Sequence, residues 1–224
     1  MAIYAEGKGV AAEAEPFGLL TEGAAGIAAI VLAIVALAGI SAGALASITT
    51  IVIGVALIVQ AFNAAAEMSR TLSVSGAADS TVTTGRGSEL GGEILIDIAA
   101  GVTGIVLGVL GLVGINAQYL VPAALVVFGS SLILGGVIAA QGGHRVTAMT
   151  SSGAQMQVAY SNSAAISGLE ILVGFAAVIL GILALIFQSS WVLVLVGFIA
   201  VGTALLIVSA SFSAAVVRLF TRAV

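Results

Sequence analysis

The sequence predicts an all-α integral membrane protein with six transmembrane helices, built as three repeated helical hairpins. Of the 224 residues, 61% are hydrophobic and only 7% are charged, which is far more apolar than a soluble domain. A helix needs roughly 20 apolar residues to cross a bilayer core about 30 Å thick. Six runs of that length occur, at 17–39, 44–63, 94–115, 119–140, 164–187 and 191–217.

An internal repeat predicts how these helices are organised. One register aligns three hairpins without gaps, with shifts of 75 residues from Glu22 to Asp97 and 73 residues from Asp97 to Glu170. Repeats of this kind define a fold because each unit is one supersecondary element. The matched columns are the acids Glu22, Asp97 and Glu170, the first-helix glycines Gly26, Gly101 and Gly174, the second-helix glycines Gly54, Gly129 and Gly202, and the arginines Arg70, Arg145 and Arg218.

The repeat divides the chain into hairpins joined by polar linkers. The predicted boundaries are an N-terminal segment 1–16, hairpin 17–70, linker 71–92, hairpin 93–145, linker 146–163, hairpin 164–218 and tail 219–224. Both linkers alternate apolar residues with Ser and Thr around a small-residue turn, at 71–85 and 146–161. That alternation is typical of a short β-hairpin, and a flexible Ser/Thr/Gly loop is the alternative.

A stripe of small residues lies along the first helix of each unit and begins four residues after the acid. Spacings of three and four residues place the stripe on one helix face. Small side chains allow backbones to approach closely in lipid, so we expect the stripe to face protein. Its members are Gly26, Ala29, Ala33 and Ala36, then Gly101, Gly104, Gly108 and Gly111, then Gly174, Ala177, Gly181 and Ala184.

The acid and the arginine of each unit are 48 residues apart in all three copies. A hairpin returns to the face where it began, so both residues are expected at one membrane surface. A salt bridge that pins the hairpin is the simpler interpretation, since an acid suits the start of a helix and an arginine its end. Because carboxylates in a membrane are costly, proton or ion handling by Glu22, Asp97 and Glu170 is the alternative.

All six basic residues lie on the side of the termini and linkers, which by the positive-inside rule predicts a plasma (inner) membrane protein with both termini in the cytoplasm. No cysteine is present, which excludes disulfides and thiolate metal sites. No catalytic or nucleotide-binding motif occurs, and too few basic residues are present to recruit nucleic acid. We therefore predict neither enzyme activity nor a cofactor or metal, and expect as partners the bilayer and either further copies of the chain or other membrane proteins.

The three hairpins share a pattern of G-x-x-x-x-x-L, a short turn and G-x-x-L. It is clearest in segments 101–115 and 174–187. In this pattern the chain resembles the HdeD-like acid-resistance membrane protein family, whose members have six helices in repeated hairpins. The resemblance covers most of residues 17–217. It implies a fold, and it carries no catalytic or binding residues over to this chain.

These patterns predict a non-catalytic membrane protein that acts by helix packing, either as a scaffold or assembling unit or as an accessory subunit of a membrane complex. Glycine-rich packing and sparse charge favour a body with little room for a substrate. The alternative is a small proton- or solute-conducting transporter, or stress-resistance membrane protein, that uses Glu22, Asp97 and Glu170.

Overall fold

The computed structural model describes residues 9–74, 80–149, 154–187 and 191–221, and every regular element in these ranges is an α-helix. Side chains are described for 23–66, 91–92, 94–138, 140, 167–187 and 191–209. The helices are α1 (Gly9–Leu37), α2 (Ala42–Val74), α3 (Ser80–Leu112), α4 (Ala117–Met149), α5 (Ala154–Ile186) and α6 (Trp191–Thr221).

The prediction of β-hairpins in the linkers is wrong, because no described residue of either linker is in a strand. Helix α2 continues to Val74 and α3 begins at Ser80, while α4 continues to Met149 and α5 begins at Ala154. Extending an existing helix adds one hydrogen bond per residue without a new nucleation cost. An isolated two-stranded hairpin is only marginally stable in water. Helix propagation therefore prevails over the alternating pattern in the described part of both linkers, of which 75–79 and 150–153 lie outside the described residues.

Five helices contain apolar spans of 19–25 residues, long enough to cross a membrane. The spans are Ala42–Ala66, Ile94–Leu112, Ala117–Ile138, Ser167–Ile186 and Trp191–Ser209. In α1 the apolar segment among described side chains is Gly23–Leu37, which is shorter. The chain thus has the helices of a multi-pass membrane protein, with five full spans where the sequence predicts six. The side chains of 17–22, the start of the first predicted run, lie outside the described residues.

The helices are arranged as a closed ring in chain order, in which α6 also packs against α1. Helices α2, α4 and α6 contact one another in the centre, whereas α1, α3 and α5 make no mutual contacts within the described ranges. Burial agrees with this division. In α2, α4 and α6, 44–56% of the most apolar stretch is buried, against 33% in α3 and 22% in α5. The first helices are thus the outer layer and the second helices the core.

The bundle has two ends, the linker end and the turn end. The linker end is where α2 and α4 end and α3 and α5 begin. The turn end is where α1 is joined to α2 and α3 to α4. At the linker end the helices continue beyond the apolar spans, since α3 begins at Ser80 and its span at Ile94. At about 1.5 Å per residue this extension is roughly 20 Å long.

Two tight turns at the turn end have the same backbone conformation. Gly39 and Gly114 have φ angles of 90° and 92°, and two residues later Ser41 and Asn116 both have φ 43°. The amide of Gly114 donates to the carbonyl of Gly111 at 3.1 Å, and the next amide donates to Leu110 at 3.1 Å. This is the glycine helix ending known as the Schellman motif. The sequences Gly-Ile-Ser-Ala and Gly-Ile-Asn-Ala therefore encode one turn in the first two units.

Replacing Gly114 with alanine should lower the free energy of unfolding by about 1–2 kcal/mol, because an L-residue at positive φ places its Cβ against the carbonyl. Thermal unfolding in detergent measures the effect. Gly91→Ala is the control, since Gly91 is helical and has nothing within 4 Å of a β-carbon. Equal stability of Gly114→Ala and the parent would contradict the turn geometry.

Candidate functional site

The structure places the small-residue stripe in the interior of the bundle. All twelve members, from Gly26 to Ala184, are buried, and Ala29, Ala33 and Ala177 are completely inaccessible. The stripe therefore contacts protein from its first residue to its last in each of the three first helices.

An outer stripe of large apolar residues lies beside the small one and repeats at the same columns. Each of its residues is between 45% and 55% exposed, so this face of the first helices points away from the bundle. Its members are Ile27, Val31 and Ile34 in α1, Val102, Val106 and Val109 in α3, and Phe175, Ile179 and Ile182 in α5.

Three pairs of helices cross at paired glycines. A β-carbon on Gly101 would lie 2.6 Å from the carbonyl oxygen of Gly54, and one on Gly54 would lie 2.7 Å from the carbonyl oxygen of Gly101. At Gly129 and Gly174 both distances are 2.6 Å. Approaches below 3.0 Å essentially never occur for real β-carbons. Only glycine fits at these two crossings, where backbone lies directly against backbone.

The third crossing joins the last helix to the first. A β-carbon on Gly26 would lie 2.9 Å from the carbonyl oxygen of Gly202, and the reverse distance is 3.1 Å. In all three crossings the second-helix glycine of one unit meets the first-helix glycine of another unit. The sequence identifies both glycine columns as packing positions, but it gives no signal that they face each other.

Other stripe positions repeat this kind of contact between units. A β-carbon on Gly108 would meet the Ile51 side chain at 2.7 Å and the Ser47 carbonyl oxygen at 2.9 Å. At the equivalent Gly181 the neighbours are Val126 at 2.7 Å and the Pro122 carbonyl oxygen at 3.0 Å. Helix α2 thus lies against α3, and α4 against α5, over at least two turns of close approach.

Gly104 faces the helix of its own unit, where the Phe128 ring occupies the space that a β-carbon would need. Gly111 lies near the Ser47 hydroxyl, 2.7 Å from a β-carbon. The two other units have alanine in the Gly104 column, at Ala29 and Ala177, and smaller side chains in the Phe128 column. The Phe128 column holds Ile53, Phe128 and Val201, which are each at most 1% exposed. The largest side chain therefore occurs where the stripe residue is smallest, as close packing requires.

Large apolar side chains fill the centre between α2, α4 and α6. Leu57, Leu125, Phe198 and Leu205 are each at most 2% exposed, and a β-carbon on Gly197 of α6 would clash with Leu125 of α4. Buried hydroxyls nearby donate to carbonyls of their own helix. These bonds are Ser47 to Gly43, Thr49 to Leu45, Thr50 to Ala46 and Ser131 to Phe128, at 2.8–2.9 Å.

Two of the three predicted acids have described side chains, and both lie near the linker end. Asp97 is 7% exposed within the span of α3, and Glu170 is half-buried in the span of α5. Each has an interaction partner. The side chains of Glu22, Arg70, Arg145 and Arg218 lie outside the described residues, so the three salt bridges stay predictions. Among the residues searched, no group of three His, Cys, Asp or Glu is placed to hold a metal ion.

Comparison of the chain with protein-family models, with curated proteins and with solved structures finds no match in any of the three.

Two separate glycine-to-alanine variants test the crossings. Gly101→Ala should destabilise the protein by about 1–3 kcal/mol, because the added methyl group meets the Gly54 backbone and forces two helices apart. Gly168→Ala should be neutral or stabilising by roughly 0.5–1 kcal/mol, since alanine is the better helix former and nothing lies within 4 Å of its β-carbon. Thermal unfolding of both variants in one detergent gives the comparison. If Gly101→Ala were the more stable variant, the close crossing would be excluded.

Proposed function

We propose that this chain is a non-catalytic multi-pass membrane protein that acts by helix packing, as a scaffold or assembling unit of a membrane or as an accessory subunit of a membrane complex. The observation that carries the proposal is the backbone-to-backbone crossing at Gly54–Gly101 and Gly129–Gly174. Helices this close leave no space for a substrate between them. The filled apolar centre supports the same function.

The proposed unit is a ring of three hairpins related by a pseudo-threefold axis. Three glycine crossings at matching columns support this arrangement, and the Gly202–Gly26 crossing closes it. Each crossing joins different hairpins, so no hairpin is held in place by its own turn alone. A closed ring of this kind is a stiff body, which suits a structural role.

The outer stripe is one apolar surface through which the protein meets its surroundings. Its nine half-exposed side chains are aliphatic except for Phe175, and this composition fits contact with lipid tails. The expected partners are therefore the bilayer, and further copies of this chain or other membrane proteins that replace lipid on this surface.

Asp97 favours a second candidate function, a small proton- or solute-conducting transporter. Its carboxylate is almost fully buried within an apolar span, and ionisable groups at such positions commonly serve proton or ion pathways. Glu22 and Glu170 occupy the same column. The stress-resistance role suggested by the HdeD-like resemblance belongs to this alternative and stays a prediction.

Two variants of α3 test the packing proposal. Gly108→Leu should lower the unfolding temperature and disrupt assembly, because its side chain would meet Ile51 and the Ser47 carbonyl. Val109→Leu should behave like the parent, since Val109 is 45% exposed on the outer stripe. Thermal unfolding in detergent and size-exclusion chromatography measure both effects.

Flux measurements on the same preparations distinguish the packing function from the transporter function. Under the packing proposal, Asp97→Asn leaves proton and solute flux across reconstituted vesicles at the level of empty vesicles, as does the parent. Flux through the parent that Asp97→Asn abolishes, together with a Gly108→Leu variant that assembles normally, would replace the packing function with transport.

The proposed topology places the linker end in the cytoplasm of a plasma (inner) membrane. Because the chain has no cysteine, single cysteines at Ser80, Ser152, Ala117 and Ser189 report their own compartment. An impermeant thiol reagent added to intact cells should label the positions at Ala117 and Ser189 only, and the other two after lysis. Labelling of all four from outside would overturn the hairpin arrangement, and the reverse pattern would invert the orientation.

A further inference from the structure

Two buried side-chain atoms of α2 differ from the other polar groups of the bundle. The oxygen Oε1 of Gln60 and the nitrogen Nδ2 of Asn63 each expose less than 1 Å² and have no hydrogen-bond partner among the described residues. The hydroxyls of Ser47, Thr49 and Thr50 on the same helix all donate to carbonyls of that helix. The two amides are therefore an exception that needs its own explanation.

Helix geometry places the pair between α2 and α1. Gln60 and Asn63 are three residues apart and so lie on neighbouring positions of one helix face. Asn63 follows Gly54 by nine residues, which at about 100° per residue is half a turn around the helix from the face that meets α3. The neighbour of α2 on that other side is α1. Both residues lie within the span Ala42–Ala66, near its linker end.

An unpaired amide is expensive in this setting, because no bulk solvent is available within an apolar span to satisfy it. The pair consists of one acceptor and one donor. A cation would suit Gln60 Oε1 but not the Asn63 amide hydrogens, and an anion would suit only the latter. A single water molecule can donate to the oxygen and accept from the nitrogen.

We infer that Gln60 and Asn63 form a binding site for ordered water inside the bundle, between α1 and α2. Gln60 lies seven residues before Glu67, the first charged residue after the apolar run, which is roughly 10 Å along the helix. Water from the linker-end surface therefore has a short path to the site. The bound water satisfies the Gln60 oxygen and the Asn63 nitrogen, and it is held by the protein rather than by bulk solvent.

The site belongs to the first unit only. The equivalent residues are Gly135 and Ile138 in the second unit, and Val208 and Ser211 in the third, so neither unit carries two amides there. The three hairpins thus share the glycine crossings, while this pair of amides occurs in the first hairpin alone. This feature is independent of the packing proposal, since it concerns polar groups that no crossing uses.

Water-edited solid-state NMR on the isotopically labelled full chain in lipid bilayers tests the site without any substitution. Magnetisation should pass from water to the side-chain NH₂ group of Asn63 at short mixing times. The exposed Asn116 is the positive control, and the hydroxyl of Thr50, bonded to the Ala46 carbonyl, is the negative control. Transfer to Asn63 that is no faster than transfer to Thr50 overturns the proposal.

Thiol reactivity gives a second, independent measurement. Gln60→Cys should react with a small charged thiosulfonate at least about tenfold faster than Ala61→Cys, because the reaction needs a hydrated thiolate. Ala61 is the next residue of the same helix and is only 1% exposed, so it controls for depth. Equal rates in two variants that elute as the parent does on size exclusion would refute the site. The NMR measurement decides the question if Gln60→Cys does not fold.

Discussion

The backbone contact between glycines of neighbouring helices is the constraint on which the rest of this structure depends. Lipid tails are as apolar as leucine, so helices in a bilayer gain little from burying large side chains against each other. They gain from close approach, which increases dispersion contacts along both backbones. At Gly54–Gly101 and Gly129–Gly174 the approach is so close that a single methyl group would prevent it. These contacts fix the rotation of each outer helix about its own axis.

Once that rotation is fixed, each side of an outer helix faces either the interior of the bundle or its surroundings. The small stripe faces inward, and the outer stripe, one position further along the chain at Ile27, Val102 and Phe175, faces outward. The core helices α2, α4 and α6 then supply the bulky side chains that fill the centre. The Phe128 ring above Gly104 shows how one unit compensates for the smallest stripe residue with the largest core residue.

Polar groups inside the bundle follow the same need to satisfy every donor and acceptor away from water. Hydroxyls do so at little cost, because Ser and Thr reach a carbonyl of the preceding turn, as Thr50 reaches Ala46. Amides such as Gln60 and Asn63 are too long and carry too many polar atoms for that solution. The unpaired atoms of Gln60 and Asn63 therefore mark a place where the interior takes up water, and Asp97 is an ionisable group buried within the span of α3.

The bilayer as solvent, the apolar helices and the buried stripe can all be predicted from the sequence, because each depends on local properties of the chain. Run length and apolar content identify a membrane helix, and spacings of three and four residues identify a helix face. The tertiary structure decided what each face meets. Gly54 meets Gly101 of the next unit, and Gly202 closes the ring on Gly26, because periodicity specifies a direction on one helix and not the neighbour that lies there. The structure also corrects the prediction for the described residues of the linkers at 71–85 and 146–161, where helices already formed in the apolar spans propagate through a pattern that in isolation favours strands.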